Sequence, residues 1–527
     1  MTDLLEPTGT RFGPPEQGSL PPPPRTGVAR RSAVVIGAGL GGLALALRLQ
    51  NMGYATTVVE KNSVPGGRCN RYEQDGFRFD TGPTLLLMRD VLERLFHETG
   101  HRLDDELELV RMKPNYRIHF ADGASLLISS DVQEMRDGLE RFEAGAGDAF
   151  VRFLADAGYK YRVSRDKFVE RNFTNWGQFL TPGNLPRFFD TGALRRLGPH
   201  LARYFHDPRL QIAFSFQSMY LGIAPRDAPA VYSLLPYTEL TEGIWYPMGG
   251  MYAIVEALVR VLERDGGVLR CNAEVTHIDT AGGRARGVML ADGTRVGADL
   301  VVCNADLPWA YDNLLDDVVR APYSPAKLER LRYGSSALML YLGVKGAPAG
   351  LIHHNVYIGA DVRQNFDDIF KHPAIPHDPA LYVNLSSRTD PSLAPAGHDT
   401  VYVLAPAPLA GTAAWQQGGA ELYRERILDG MRHFGMADIR ERIVSERLVT
   451  PSDWARDYNL RKGATFGIAH DIFQVGIMRP ANRHRSVSNL YFVGASTQPG
   501  GGIPMVFLGA RLVAERVAAE IGLGSGH

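Results

Sequence analysis

Residues 32–60 decide the fold, and they read SAVVIGAGLGGLALALRLQNMGYATTVVE. The first five residues form a short β-branched apolar run, which is typical of a strand buried in a parallel sheet. A glycine-rich turn follows, and the apolar residues from Ala44 to Met52 have helical spacing. A second apolar run starts at Ala55 and ends at the acid Glu60. This order of strand, turn, helix and strand predicts a parallel α/β sheet.

The turn itself has the spacing Gly-x-Gly-x-x-Gly, formed by Gly37, Gly39 and Gly42. The first glycine permits a tight turn, the second lets backbone approach a pyrophosphate, and the third lets the helix pack closely on the strand. The start of the helix adds unpaired N–H donors. Glu60 lies about 20 residues further on, where a carboxylate can accept hydrogen bonds from ribose hydroxyls. The segment therefore predicts a dinucleotide cofactor, with FAD and NAD as alternatives.

A second glycine pair, Gly66 and Gly67, follows the second strand and precedes Arg68. Two adjacent glycines indicate a second close approach of the backbone. Arg68 can pair with a phosphate or orient a flavin ring. A solvated arginine on a surface turn is the alternative.

The C-terminal residues 489–521 read NLYFVGASTQPGGGIPMVFLGARLVAERVAAEI, a strand that ends in glycine before a long helix. Pro504 falls near the first turn of that helix, where its missing N–H is tolerated. The positive end of the helix can stabilise a reduced flavin, which is negative near N1 and O2. A helix that merely closes the domain is the alternative.

Between the two ends, residues 266–305 alternate in short apolar runs, with a hairpin signal at Asp292-Gly293, and they predict a β-meander. Residues 242–251 are glycine-rich and flanked by bulky apolar residues. They are interpreted either as a wall of a substrate channel or as plain turn and core.

Several of these segments together resemble a flavoprotein superfamily that includes amine oxidases, protoporphyrinogen oxidase and carotenoid desaturases. The N-terminal turn, Gly66-Gly67-Arg68 and residues 76–84 (GFRFDTGPT) carry the likeness. The C-terminal run closely resembles the carotenoid desaturase signature, and residues 205–222 resemble bacterial-type phytoene desaturases. The resemblance spans nearly everything from residue 32 to residue 520 and favours FAD. One departure is Gln498, where many members have histidine.

The resemblance implies a carotenoid-biosynthesis enzyme that desaturates an acyclic precursor such as phytoene by hydride transfer to FAD, followed by proton loss. Oxygen or a membrane quinone is implied as the electron acceptor. No catalytic residue is identified, because the carboxylates Asp80, Glu239 and Glu242 can each be only a cap or an ion-pair partner. A related carotenoid or diapocarotenoid desaturase or ketolase, and a non-enzymatic prenyl-binding relative, are the alternatives.

The implied fold class is α/β, with a discontinuous Rossmann-like FAD-binding domain and an inserted substrate domain of mixed sheet and helices. We expect the FAD-binding domain in residues 31–105, 241–309 and 481–527, the substrate and membrane-facing domain in 106–240 and 310–480, and a flexible Pro-rich tail in 1–30. By the same resemblance the Val275 backbone meets the adenine. The expected cofactor-binding residues are Gly37, Gly39, Gly41, Gly42, Glu60, Lys61, Gly66, Gly67, Arg68, Val275, Gly494, Ile503, Pro504 and Met505.

The composition limits the partners. A net charge of -1 over 527 residues argues against nucleic acid. Three scattered cysteines form neither a disulfide framework nor a metal pair, so we expect a cytoplasmic protein without a metal. No run approaches the ~20 apolar residues needed to span a bilayer, so any membrane contact is peripheral.

A short segment bears on that contact. Leu194, Leu197, Leu201 and Phe205 can line one face of a helix, although Gly198-Pro199 would break it. A core-facing helix is the commoner outcome of such a pattern. A helix lying in the membrane interface is the alternative.

Overall fold

The computed structural model describes residues 30–520, so the predicted tail lies, except for Arg30, outside the described residues. The strands are β1 (Ser32–Ile36), β2 (Ala55–Val59), β3 (Arg71–Gln74), β4 (Phe77–Asp80), β5 (Leu109–Arg111), β6 (Tyr116–Phe120), β7 (Ser125–Ile128), β8 (Trp245–Pro247), β9 (Val268–Arg270), β10 (Val275–Ala281), β11 (Arg284–Leu290), β12 (Arg295–Gly297), β13 (Leu300–Cys303), β14 (Ser336–Lys345), β15 (His354–Ile358), β16 (Leu381–Asn384), β17 (His398–Ala407), β18 (Ile443–Val449) and β19 (Leu490–Phe492).

The α-helices range from single turns to the long C-terminal helix. They are α1 (Leu40–Asn51), α2 (Arg89–Glu98), α3 (Leu103–Glu106), α4 (Val132–Glu140), α5 (Ala146–Ser164), α6 (Trp176–Phe179), α7 (Asn184–Asp190), α8 (Leu197–Leu201), α9 (Pro208–Ala213), α10 (Leu234–Thr241), α11 (Tyr252–Arg264), α12 (Leu307–Asn313), α13 (Pro325–Arg330), α14 (Val362–Phe370), α15 (Gly419–Gly430), α16 (Ile439–Arg442), α17 (Pro451–Tyr458) and α18 (Ile503–Glu520).

The first sheet is parallel and has the strand order β19-β13-β1-β2-β9. Its strands alternate apolar side chains between two buried faces. Helices α1, α11 and α18 cover one face. The antiparallel sheet β10-β11-β12 and helix α12 cover the other. This arrangement confirms the predicted α/β class with a Rossmann-like sheet.

The predicted meander is wrong at its edges. Only β10, β11 and β12 pair as a meander, whereas β9 and β13 join the parallel sheet. The physical reason is clear for β13, because all four of its residues are buried and a strand buried on both faces belongs in a parallel sheet.

The second sheet is mixed, with seven strands in the order β18-β14-β17-β16-β15-β6-β7. Only the β15–β6 pair is parallel. Helices α15 and α16 cover one face of its central strands. The other face packs in part against the β3–β4 hairpin and helix α17, and it borders the cavity described below.

The interval from α5 to α10 is mostly helical and packs against β6 and β7. Helix α8 is only five residues long, and Leu197, Leu201 and Phe205 are fully buried while Leu194 is exposed. The core-facing interpretation of this segment is therefore confirmed. Among the residues that the structure describes, no helix is both long and apolar enough to cross a membrane.

Candidate cofactor and substrate cavity

One large cavity connects the two main sheets. Its empty volume, open mouth included, is about 2910 Å³. The glycine turn after β1 lines one part, and side chains from the mixed sheet line another. The two sheets therefore contribute to a single site.

The glycine turn forms a tight cradle at the carboxyl end of β1. Gly37 has a φ of +92°, which favours glycine. A Cβ on Gly42 would lie 2.3 Å from the carbonyl oxygen of Gly37, so the close packing predicted for Gly42 is confirmed. Helix α1 begins after Gly39, and no side chain among the described residues caps it. Its first N–H groups are therefore free to bind an anion.

Glu60 is buried at the end of β2 and lines the cavity. Its Oε2 accepts a hydrogen bond of 2.8 Å from the Ala38 N–H, and its Oε1 accepts one of 3.0 Å from the Asn62 N–H. The carboxylate is thus fixed by backbone on both sides of the cradle.

Lys61 also lines the cavity, but its ammonium bonds to protein. Its Nζ donates to Asn459 Oδ1 at 2.8 Å and to the Arg456 carbonyl at 3.0 Å. Partial burial lowers the pKa of Lys61. The side chain therefore ties the end of β2 to α17 and its following residue.

The second glycine pair lies directly against the first turn. The N–H of Gly66 donates to the Ala38 carbonyl at 2.8 Å, and a Cβ on Gly67 would lie 3.4 Å from Gly39 Cα. Arg68 faces the cavity, and its Nη1 donates to the Thr465 carbonyl at 2.7 Å. Burial lowers the pKa of Arg68 and the nearby Asp306 opposes that change. Arg68 is therefore a half-buried cavity residue with a protein partner and not a solvated surface arginine.

The C-terminal loop, defined here as residues 494–502, forms another side of the cavity. It leads into α18, in which Pro504 is the second residue, as predicted. Gln498 does not line the cavity, and its Nε2 donates to the Gly476 carbonyl at 3.2 Å.

All the expected cofactor-binding residues line this cavity except Gly42 and Met505. Gly42 packs α1 against the turn, and Met505 packs against the core beneath the first sheet. Val275, at the start of β10, lines the same cavity as the glycine turn. The structure therefore brings together residues from the two ends and the middle of the chain.

Two residues that support the loop were missed by the sequence analysis. The buried Arg479 donates to the Ala495 and Thr497 carbonyls. The buried His470 accepts a 2.9 Å hydrogen bond from the Gly501 N–H. Neither lies in a local motif, so no sequence signal distinguishes them from solvated residues.

The remaining part of the cavity is an apolar arm. Most of its side chains are aliphatic or aromatic, and they include Leu85, Leu87, Ile212, Phe216, Met219, Met339, Val356, Ile358, Val362, Phe366, Ile369 and Leu404. Thr84 and Tyr382 place hydroxyls on this wall. The Tyr382 hydroxyl also lies 2.7 Å from His354 Nδ1, and burial lowers the pKa of His354 well below its usual value. Such a slot can bind a long hydrocarbon and exclude water.

Residues 242–251 do not line the cavity, so the channel-wall interpretation is wrong and the turn-and-core alternative holds. The backbone N–H groups of their glycine turn donate to carboxylates of the protein instead. Asp390 accepts from the Gly249 N–H at 2.8 Å, and Asp80 accepts from the Met251 and Tyr252 N–H groups at the start of α11.

The three carboxylates considered as bases also lie outside the cavity lining. Asp80 caps α11, and burial raises its pKa to about 6. Glu239 accepts from the Tyr116 hydroxyl at 2.8 Å, and burial raises its pKa to about 7. Glu242 accepts from the Tyr161 hydroxyl at 2.6 Å. Each carboxylate therefore has a structural partner away from the slot.

Comparison with known proteins identifies relatives over nearly the whole chain. Residues 40–518 match the family described as flavin containing amine oxidoreductase. A zeta-carotene-forming phytoene desaturase of Myxococcus xanthus is 46% identical over 489 residues, covering 92% of this chain and 94% of the relative. A phytoene desaturase of Fusarium fujikuroi is 38% identical, covering 94% and 90%. A 4,4'-diapophytoene desaturase of Staphylococcus haemolyticus is 34% identical, covering 92% and 98%.

Solved structures share the fold at low identity. A putrescine oxidase variant superposes with a TM-score of 0.62 at 15% identity, covering 94% of this chain and 99% of that one. A Rab GDI of Plasmodium falciparum superposes with a TM-score of 0.53 at 12% identity, covering 93% and 98%. These structures show the fold alone.

The residues present fit FAD. The uncapped start of α1, the close approach at Gly67 and the fixed Glu60 carboxylate provide for a pyrophosphate and a ribose. The apolar arm leaves room beside the cradle for a second, lipophilic molecule. Together with the relatives, these features show that the chain belongs to the FAD-dependent carotenoid desaturases of the flavin-containing amine oxidoreductase family.

Proposed function

We propose that this protein desaturates an acyclic carotenoid precursor such as phytoene. The continuity of the cavity carries the proposal, because the glycine cradle and the apolar arm open into one another. The names of the relatives agree, since those from M. xanthus and F. fujikuroi are phytoene desaturases. A cofactor and a long hydrocarbon can therefore meet in one continuous cavity.

FAD, when bound, supplies the acceptor for the hydride that the hydrocarbon loses. We assign its pyrophosphate to the start of α1, its ribose to Glu60 and its adenine to the backbone of Val275. The flavin ring is assigned to the C-terminal loop and the first turn of α18, where the helix end favours negative charge. Gly66, Gly67 and Arg68 are assigned to the phosphates and the edge of the ring.

The protein's own residues bind and orient the hydrocarbon and exclude water. The substrate has no group for ion pairing, so shape and apolar contact must position it. The arm supplies such contact through rigid aromatic side chains such as Phe216 and Phe366. Dry surroundings also protect a cationic hydrocarbon from water while it loses its proton.

We assign these roles to two units of the chain. Residues 31–105, 241–309 and 481–527 form the cofactor unit, and residues 106–240 and 310–480 form the substrate unit. The parallel sheet belongs to the first and the mixed sheet to the second. This division explains why the cavity lies where the two sheets meet.

The protein is further proposed to lie on a membrane surface, where a lipophilic substrate resides. Large hydrophobic side chains at least 40% exposed form what we term the apolar patch: Trp176, Leu180, Leu185, Phe189, Leu194, Phe473 and Met478. Its two segments adjoin, since a Cβ on Gly476 would lie 3.7 Å from the Phe179 ring. Exposed large apolar side chains that group on one surface mark sites of contact with a membrane or a partner. Oxygen or a membrane quinone is proposed as the electron acceptor.

The function is tested by expressing the chain in a non-carotenogenic host that makes phytoene. We expect new long-wavelength polyene bands in the extract and a flavin spectrum in the purified protein. Purified protein supplied with phytoene in vesicles, with and without oxygen or added quinone, then identifies the acceptor. Flavin without any product from phytoene would overturn the proposed substrate, and a 4,4'-diapophytoene feed would test the shorter alternative.

A matched pair of variants controls for general damage. Gly39→Val should lose flavin and pigment, because its side chain would fill the close approach and contact Asn304 Oδ1. Gly350→Val should retain both, because a Cβ there meets no atom within 4 Å. Equal flavin content in the two variants would argue against the assigned cradle.

A further inference from the structure

Arg479 is a fully buried cation that bonds only to backbone. Its side chain is 2% exposed. Nε donates to the Thr497 carbonyl, and the two Nη atoms donate to the carbonyls of Ile468, Ala469, Gln474 and Ala495. No carboxylate among residues 30–520 forms an ion pair with it. Removing a guanidinium from water without an anionic partner is costly, so its retention calls for an explanation.

The acids nearest to Arg479 are engaged elsewhere. Asp471 pairs with Arg332 at 2.6 Å. Asp306 accepts from the Ser496 hydroxyl and lies near the cationic Arg68. Burial lowers the pKa of Arg479 to about 10, which leaves it charged at neutral pH. Neither acid is a direct hydrogen-bond partner of Arg479.

This charge lies directly behind the cavity wall. Ala495 and Thr497 line the cavity, and their carbonyls accept from Arg479 on the other side. His470, which accepts from the Gly501 N–H, is a second titratable base in contact with the loop. Burial, and then the charge of Arg479, lower the pKa of His470 well below its usual value, so the imidazole is neutral. Arg479 is thus the fixed cation at this side of the site.

We propose that Arg479 is a positioning residue whose buried charge acts through the C-terminal loop to stabilise the reduced flavin and so raise its reduction potential. The inference rests on the proposed function, which assigns the flavin ring to this loop. Reduced flavin is negative near N1 and O2, and a charge in a low-dielectric interior acts over several ångströms. A helix end contributes only about half a charge, so a full guanidinium adds a larger effect. A higher potential suits an enzyme that takes hydride from a hydrocarbon.

The test compares reduction potentials of the purified flavoproteins, by equilibration with a reference dye, in the wild type, Arg479→Met and Arg479→Lys. At the potential where the wild type is half reduced, we expect the reduced-to-oxidised ratio of Arg479→Met to fall at least tenfold, which is about 30 mV for a two-electron couple. Arg479→Lys should keep the wild-type ratio at low pH. Arg102→Met is the matched control, because Arg102 is 78% exposed and its charge is screened by solvent.

An unchanged ratio in Arg479→Met would overturn the proposal. If that variant does not retain flavin, Arg479→Lys allows the same comparison in a single protein. A buried lysine without a carboxylate has a pKa lowered by several units, so its charge can be removed by raising the pH. The ratio of this variant, relative to the wild type, should fall tenfold as pH rises from 6 to 9, a range in which Arg479 of the wild type stays charged, and a constant offset would overturn the proposal. These measurements need no polyene, so failure of the substrate assignment would show separately, as bound flavin without pigment.

Discussion

The hydroxyl oxygens of Thr84 and Tyr382 lie 2.6 Å apart on the wall of the cavity. Thr84 follows the β3–β4 hairpin, and Tyr382 lies in β16 of the mixed sheet. The pair thus joins the segment beside the cofactor cradle to the sheet that forms the apolar arm. The same Tyr382 hydroxyl lies 2.7 Å from His354 Nδ1, so one phenol contacts both the residue after the hairpin and strand β15.

Tyr382→Phe should slow desaturation about tenfold and lower the free energy of unfolding by about 1–3 kcal/mol, since it leaves the Thr84 hydroxyl without its partner, whereas His354 Nδ1 keeps Asn384 Nδ2. Polyene formation and thermal unfolding of the flavoprotein are the measurements. Tyr423→Phe is the control, because it removes a cavity-lining phenol that bonds only to the Pro406 carbonyl. A similar loss of activity in both variants would mean that the contacts of the Tyr382 hydroxyl are not specifically required for desaturation.

Glu60→Gln should weaken FAD binding about tenfold to hundredfold. The amide replaces an anionic acceptor that holds the Ala38 and Asn62 N–H groups, and hydrogen bonds to charged groups contribute about 1.5–3 kcal/mol. Flavin released on dilution, followed by its fluorescence, measures the change. Glu73→Gln, at a half-exposed surface ion pair, should leave retention as in the wild type. If Glu60→Gln releases no more flavin than the wild type on dilution, the carboxylate stabilises the turn and does not bind the cofactor.

Trp176→Ser combined with Phe473→Ser should reduce binding to lipid vesicles at least tenfold, because both side chains belong to the apolar patch. Burying a large apolar side chain contributes about 1.5–3 kcal/mol, and partial exposure reduces this figure. Co-sedimentation with vesicles is the measurement. Val318→Ser serves as the control, since Val318 is 86% exposed outside the patch. Undiminished sedimentation of the double variant would place the membrane contact elsewhere.

Glu239→Gln should change the dependence of stability on pH. Burial raises the pKa of Glu239 to about 7, so the folded state holds a proton that the unfolded state releases near pH 4.5. The contribution of Glu239 to stability is therefore lost as pH rises between these values, by about 3 kcal/mol in all, and this contribution does not change further above pH 7. The glutamine mimics the protonated acid, so its advantage in melting temperature should grow from pH 5 to pH 7. The exposed Glu134→Gln should show a difference independent of pH.

Much of the cradle could be predicted from sequence because its chemistry is local. The spacing of Gly37, Gly39 and Gly42 specifies a turn and a helix start within a few residues. Arg479 could not be predicted, because its five acceptors are backbone carbonyls, which every residue type has. The Thr84–Tyr382 pair spans 298 positions, which no periodicity links.

The errors have physical causes as well. Residues 242–251 have the glycines and bulky apolar groups of a ligand site, but their N–H groups bind Asp80 and Asp390. The sequence indicates that the backbone of such a turn is accessible. It does not show whether the N–H groups bind a ligand or a side chain of the protein. The pattern of residues 266–305 predicts β9 as part of the meander, whereas β9 pairs in parallel with β2 at the edge of the first sheet.

The cradle is assembled from opposite ends of the polypeptide, with the glycine turn at Gly37 and the loop that begins at Gly494 facing one cavity. During synthesis the first half emerges from the ribosome long before the second. At about 5–20 residues per second the wait lasts on the order of tens of seconds. With the flavin ring assigned to the C-terminal loop, we expect the complete flavin site to form only after the whole chain has been made.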